Sequence, residues 1–376
     1  MENKKIFLSS PTMHTEEMEY IQLAFDTNWV APLGANVTGL ENDMAAYTGI
    51  KHGAALSAGT AAIHMAFMVL GIKPGDIVFC SSLTFSATAN PITYVGAIPV
   101  FIDSEEETWN MDPKALRKAF EKYPDAKAVI SANLYGTPAK LDELAAICKE
   151  HGVPFVEDAA ESLGATYHGK MTGSFGEIGI FSYNGNKIIT TSGGGMMMSD
   201  NEAYTKKAVF LSTQAREPAK HYEHKEIGYN YRMSNIVAGI GRGQMKHLDE
   251  HVALKRAIYK QYQEAFADIS ELTMNPYLPD SEPNFWLSCM TIDQKSKVTP
   301  AMIGEALEQK NIESRPIWKP MHLQPVFSEN DFIQVKEGMS VGEDIFNRGI
   351  CLPSDIKNTP EDMNQIITII RGLFGK

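Results

Sequence analysis

The chain has 376 residues and a formal net charge of −12, from 34 Lys and Arg against 46 Asp and Glu. Hydrophobic residues make up 44% and charged residues 21%, which supplies a large core, excludes a disordered chain, and at roughly 100–200 residues per domain predicts two or three domains. The acidic balance excludes a general nucleic-acid or anionic-membrane surface, so any anionic ligand must be held by local contacts.

Ile6-Phe7-Leu8 is too short for the apolar core of a signal peptide, and no apolar run approaches the ~20 residues of a membrane helix. A soluble cytoplasmic protein is expected. The four cysteines, Cys80, Cys148, Cys289 and Cys351, show no C-x-x-C spacing and read as reduced core residues.

Met18, Ile21 and Phe25 behind Glu16-Glu17 predict an amphipathic helix over 15–26. From residue 54, strands and helices alternate. Strands are expected at 54–56, 77–79, 97–102, 128–132, 153–156 and 178–182, with helices at 61–70, 113–120 and 141–150. Such units predict an open α/β sheet with right-handed crossovers and a ligand crevice beyond the strand C-termini. Residues 234–266 read as continuously helical. The last third mixes a strand at 285–292 with helices starting at Thr299-Pro300, Val341 and Thr359-Pro360, the last with a capping-box spacing. The expected division is a large α/β domain over 1–245 and a smaller α+β domain over 246–376.

Three features carry chemistry. Asp158 ends the apolar run Val153 to Glu157, where a side chain faces the crevice, although strand-end aspartates also cap helices. Lys187 follows the strand 178–182 and precedes Gly193-Gly194-Gly195; a buried lysine of lowered pKa is a nucleophile for a carbonyl. Ser57-Ala58-Gly59-Thr60 opens a helix after a short strand, leaving backbone N–H groups free for a phosphate or simply capping the helix. The turn lacks both the nucleotide P-loop and the dinucleotide fingerprint. Together, a phosphate cup at Gly59 and Thr60, an acid and a lysine are what pyridoxal 5′-phosphate requires.

At this point the chain resembles the DegT/DnrJ/EryC1/StrS sugar aminotransferases, of the aspartate-aminotransferase fold type (PLP-dependent transferase fold type I). The matching segments run from Asn28-Trp29-Val30-Ala31-Pro32-Leu33-Gly34 through Ser57 to Ala62, Glu157 to Glu161, the Lys187 segment and Gly228 to Asn235, to Ser314-Arg315-Pro316-Ile317-Trp318. The resemblance implies that Lys187 is the Schiff-base lysine and that Asp158 pairs with the pyridinium nitrogen. It further implies that Gly59, Thr60 and Ser182 cup the phosphate, Phe85 stacks on the ring, and Asn230 reaches the phosphate from a partner subunit, making a homodimer with shared sites. Glu161 stands where many relatives have Gln or His near the phenolic oxygen, and Asn184-Gly185 replaces a common His-Pro.

The stretch Ser212 to His224 and the Asn-Gly-Asn-Lys form resemble enzymes that aminate C4 of UDP-linked 4-keto-6-deoxy-N-acetylhexosamines in bacillosamine-type pathways, with glutamate the expected donor. Arg315, Trp318 and His322, in a Pro-punctuated loop, suit a diphosphate and a uracil ring, and Asn28, Pro32 and Leu33 lie where the chain could close over the nucleotide. His221 and His224 have a zinc-compatible spacing on a helix but no third ligand, so no metal is expected. The alternatives are an aminotransferase for another nucleotide-linked ketosugar (C3 or another epimer), a related sugar dehydratase, disfavoured because it carries His in place of Lys187, and a non-catalytic protein that binds PLP or a sugar nucleotide.

Overall fold

The computed structural model describes residues 4–376. In chain order the strands are β1 (His52–Leu56), β2 (Ile77–Ser81), β3 (Ile98–Ile102), β4 (Ala128–Ala132), β5 (Phe155–Asp158), β6 (Thr166–Tyr167), β7 (Lys170–Met171), β8 (Ile178–Ser182) and β9 (Gly195–Ser199). After them come β10 (Leu272–Met274), β11 (Ser281–Glu282), β12 (Cys289–Ile292), β13 (Arg315–Pro316), β14 (Phe332–Ile333) and β15 (Gly349–Cys351). Runs such as Ala128–Ala132, with every residue buried, can be satisfied only in a sheet covered on both faces. Eight strands form that sheet in the order β1-β9-β8-β5-β4-β2-β3-β14.

From β8 to β14 all pairings are parallel, as the alternation of strands and helices predicts. The other edge is not. β9 runs antiparallel to both β8 and β1, because no crossover helix separates β8 from β9 and the chain must turn back directly. The Met196-Met197-Met198 run is the fully buried centre of β9. Ser182 pairs with Gly195, so the segment carrying Lys187 is a loop closed at both ends by one ladder.

Helix Pro113–Lys122 shows how local sequence seats these layers. Asp112 caps it by accepting from the Lys114 N–H at 2.7 Å, and Leu116, Ala119 and Phe120 pack on Val100 and Val129 of the sheet. The expected helix over 234–266 is two helices, Asn235–Met245 and Leu248–Ala265. The first closes with tight i−3 bonds from Lys246 to Gly243 and His247 to Gln244. Its glycines admit helix Glu16–Asp26 so closely that a Cβ on Gly243 would lie 2.5 Å from the Glu17 nitrogen. Helices Ala35–Thr48, Ser86–Tyr94 and Glu202–Ser212 complete the layers.

A second, antiparallel sheet has the order β10-β12-β15-β13. It packs with helices Pro300–Glu308 and Pro360–Leu373 around Met290, Ile303, Leu307, Ile350 and Ile366. The strand expected over 285–292 begins only at Cys289, because Phe285 takes a left-handed φ of 48° and stacks on Tyr259 at 3.6 Å. Thr359 and Asp362 form the expected capping box. The two halves of the sequence interleave in space: β14 extends the large sheet beside β3, and Ile6 bridges to Ile312.

Candidate active site

A cavity of about 280 Å³ opens beyond the carboxyl ends of β5 and β8 and is lined by Gly59, Thr60, Phe85, Asp158, Glu161, Ser182, Lys187 and Trp318, together with Thr88 and Trp286. Gly59 starts the helix Gly59–Val69, preceded by Ala58 in extended conformation with no side chain capping the helix. The first-turn N–H groups and the positive end of the helix dipole therefore face the cavity side. A Cβ on Gly59 would lie 3.1 Å from Ser182 Cβ, so glycine there keeps the cup open beside the serine hydroxyl. This is an anion cradle.

Asp158 is 6% exposed. The Thr88 hydroxyl donates to its Oδ2 at 2.8 Å and the Ala160 N–H to its Oδ1 at 3.1 Å. Burial raises its pKa, while Thr88, Ala160 and the Lys187 charge pull the other way. No Lys or Arg forms an ion pair with it among the described residues, so a cationic ligand group placed against it would gain a full counter-charge.

Lys187 lies in the loop between β8 and β9, its side chain 12% exposed, with Nζ 3.9 Å from Glu161 Oε1 and 4.1 Å from the centroid of the Trp286 ring. Burial pushes the ammonium pKa down, against the attraction of Glu161 and Asp158. Glu161 accepts from the Tyr135 N–H at 2.6 Å, which Tyr135's left-handed φ of 53° aims at it. Burial moves the Glu161 carboxyl up to about 7, the Lys187 charge opposing. Phe85 and Trp318 form one wall with ring centroids 5.2 Å apart, and Tyr135 lies behind Trp318 at 4.8 Å. The set fits pyridoxal 5′-phosphate: an anion cradle, an unpaired buried carboxylate, an amine biased towards neutrality and aromatic faces for a planar ring.

Six expected residues lie elsewhere within one chain. Arg315 lines a separate open groove of about 710 Å³ with Thr299, Ser314 and Pro316, because it sits on the edge strand β13 and is directed towards Ser314 and Glu313. His322 is a packing residue, bonded through Nδ1 to the Ser82 hydroxyl at 2.6 Å and stacked on Phe332 at 3.7 Å, with burial pushing its pKa down to about 4. Asn28 and Pro32 are exposed, and Leu33 borders a shallow apolar groove with Leu23 and Trp29. That loop is pinned by Asn235, which donates to Trp29 O and Ala31 O. Asn230 is exposed beside Thr213. His221 and His224 are not helical, and among the described residues no cluster of three or more His, Cys, Asp or Glu is arranged to hold a metal.

Thr88 and Trp286 are among the lining residues outside the expected set. Thr88 lies in the first turn of helix Ser86–Tyr94, on the segment that follows β2. Trp286 carries no local signal, since it comes from a segment 100 residues beyond Asn186, to whose carbonyl its Nε1 donates at 2.5 Å.

A family model described as the DegT/DnrJ/EryC1/StrS aminotransferase family matches residues 11–371. The chain is 50% identical over 376 residues to the Bacillus subtilis (strain 168) protein EpsN, whose name describes a pyridoxal phosphate-dependent aminotransferase, covering 99% of this chain and 96% of that one. It is 33% identical over 367 residues to the GDP-perosamine synthase of Caulobacter vibrioides, covering 97% of each. Among solved structures it superimposes on a DegT DnrJ EryC1 StrS aminotransferase from Brucella abortus with a TM-score of 0.88 at 27% identity, over 96% of each chain.

Proposed function

The chain belongs to the DegT/DnrJ/EryC1/StrS aminotransferase family, and from that premise we propose that it moves an amino group from L-glutamate to C4 of a UDP-linked 4-keto-6-deoxy-N-acetylhexosamine. The observation that carries the aminotransferase reading is the meeting of Lys187, Asp158 and the uncapped start of helix Gly59–Val69 in one cavity. Pyridoxal 5′-phosphate, when bound, supplies an aldehyde that carries the amine and a ring that accepts electron density from the reacting carbon. Gly59, Thr60 and Ser182 hold the phosphate, and Asp158 holds a proton at the ring nitrogen. Glu161 and Phe85, which line the same cavity, would meet the ring's oxygen and its face.

Lys187 Nζ would take the proton from the donor's Cα as a neutral amine and, as an ammonium, would deliver one to the acceptor's sugar carbon, so the first step requires a neutral amine at working pH. Burial supplies that bias. Trp318 offers apolar surface to the sugar nucleotide, residues 1–245 provide the cofactor contacts and residues 246–376 close the cavity. Asn230, exposed in the single chain, completes the partner's phosphate site in a homodimer. No described helix is long and apolar enough to cross a membrane, and a cytoplasmic location goes with these substrates.

The choice of UDP, of C4 and of the N-acetyl group rests on the Asn184–Lys187 segment and the stretch Ser212 to His224. Incubation with glutamate and UDP-, dTDP- or GDP-linked 4-ketosugars, followed by NMR of the product ring couplings, tests it. An amine at C4 of the UDP sugar is expected. An amine at C3, or turnover only with dTDP or GDP sugars, overturns the substrate assignment and leaves the aminotransferase in place.

A further inference from the structure

Lys255, on helix Leu248–Ala265, is a 3%-exposed lysine outside the cavity. Its Nζ donates to Ser9 Oγ at 3.0 Å, Trp286 O at 3.0 Å and Ser354 O at 2.5 Å. Two of these acceptors are carbonyls. The third is a hydroxyl whose single proton is already committed, because Ser9 Oγ donates to Asn186 O at 3.0 Å. Three acceptors require three N–H donors, so the arrangement is that of an ammonium.

Both intermediaries converge on one atom. Trp286 Nε1 donates to the same Asn186 carbonyl as Ser9, and Asn186 immediately precedes Lys187. The Trp286 ring, held at its own carbonyl by Lys255, lies 4.1 Å from Lys187 Nζ. We infer that Lys255 is a positioning residue for Lys187: its ammonium grips Trp286 and Ser9 together, and these two arms fix the Asn186 carbonyl and the ring face on which the Lys187 amine rests. The inference depends on the reading that Lys187 is the reacting lysine.

Burial pushes Lys255 down to about 7, with Asp355 opposing the shift and Lys357 adding to it. The other titratable groups facing this joint are His251, one turn earlier on the same helix, Lys187 across a small enclosed space, and His14 and Glu17 of the N-terminal segment. Deprotonation of Lys255 removes one of its three N–H donors. The clamp therefore holds below neutrality and slackens as pH rises through about 7.

The test uses the full-length chain, stripped of cofactor, with Lys187 trinitrophenylation measured by peptide mass spectrometry. Lys255→Met, of similar length but without donors, should change the Lys187 labelling rate about fivefold or more at about pH 6. At about pH 8.5, where the parent's clamp has itself slackened by one donor, the change should be clearly smaller than at pH 6. Ser9→Ala cuts one arm and should give a smaller change with the same pH pattern, and it decides the matter if Lys255→Met does not fold. Labelling equal to the parent at pH 6, or altered equally at both pH values, overturns the inference. A Lys187→Ala chain that still traps cofactor with borohydride at another lysine would instead refute the assignment of Lys187.

Discussion

Glu161 Oε1 lies 3.9 Å from Lys187 Nζ, with side chains only 7% and 12% exposed. Burial drives each towards its neutral form, raising the carboxyl to about 7 and lowering the ammonium. For Glu161 the folded-state pKa lies above the unfolded value of 4.5. Its contribution to stability is therefore fully present below about pH 4.5 and is lost as pH rises through about 7. The upper limit is about 3 kcal/mol. Glu161→Gln should flatten the cofactor-free protein's stability between those pH values. Thermal melts of parent and variant across pH 4–8 check it, and parallel curves would show that Glu161 does not titrate in this range.

Asp158→Asn should lower the rate of a single half-reaction with glutamate by roughly 10–100-fold, the size of a charge-assisted bond worth ~1.5–3 kcal/mol. Thr88→Val, which removes the 2.8 Å bond to Oδ2, should give a smaller loss in the same assay. Stopped-flow measurement of cofactor absorbance reads both, and an unchanged Asp158→Asn rate would remove Asp158 from the mechanism.

Gly59→Ala places a methyl group 3.1 Å from Ser182 Cβ, inside the cradle. Overpacking of this kind costs about 1–3 kcal/mol, which predicts cofactor retention weakened by roughly 5–150-fold. Equilibrium dialysis against pyridoxal phosphate measures it, and retention equal to the parent's would place the phosphate elsewhere.

Lys187→Ala should abolish the borohydride-fixable adduct and turnover together. Mixed with an inactive Asn230→Ala chain under conditions that exchange subunits, it should recover part of the activity, since one composite site then holds both residues. Verified exchange without recovery would count against sites shared between subunits.

The sequence is most readable where function follows from local rules. Asp158 at a strand end, Lys187 after a buried strand and Gly59 at a helix start are each placed by a few neighbouring residues, and all three meet in the cavity. Phe85, Glu161 and Ser182 came through the family resemblance, and they line it too. Helix Ala35–Thr48 lies outside the predicted elements, although Val37, Leu40 and Met44 have the spacing of a buried stripe; the Gly and Asn residues around them mask it. Arg315 and His322 have the chemistry of anion recognition, but edge-strand direction and the Phe332 ring set where they point. Trp286 and Lys255 are illegible for a stronger reason. Their roles exist only through contacts between segments 31 to 246 residues apart.

The long reach of the Lys255 bonds orders events on the ribosome. The loop bearing Lys187 is synthesised after Ser9 but before its supports at Lys255, Trp286 and Ser354. A nascent chain that has not yet extruded residue 354 leaves Lys255 short of an acceptor and its N-terminal segment unlatched. Until residue 354 has been made, the support of the loop bearing Lys187 is therefore incomplete.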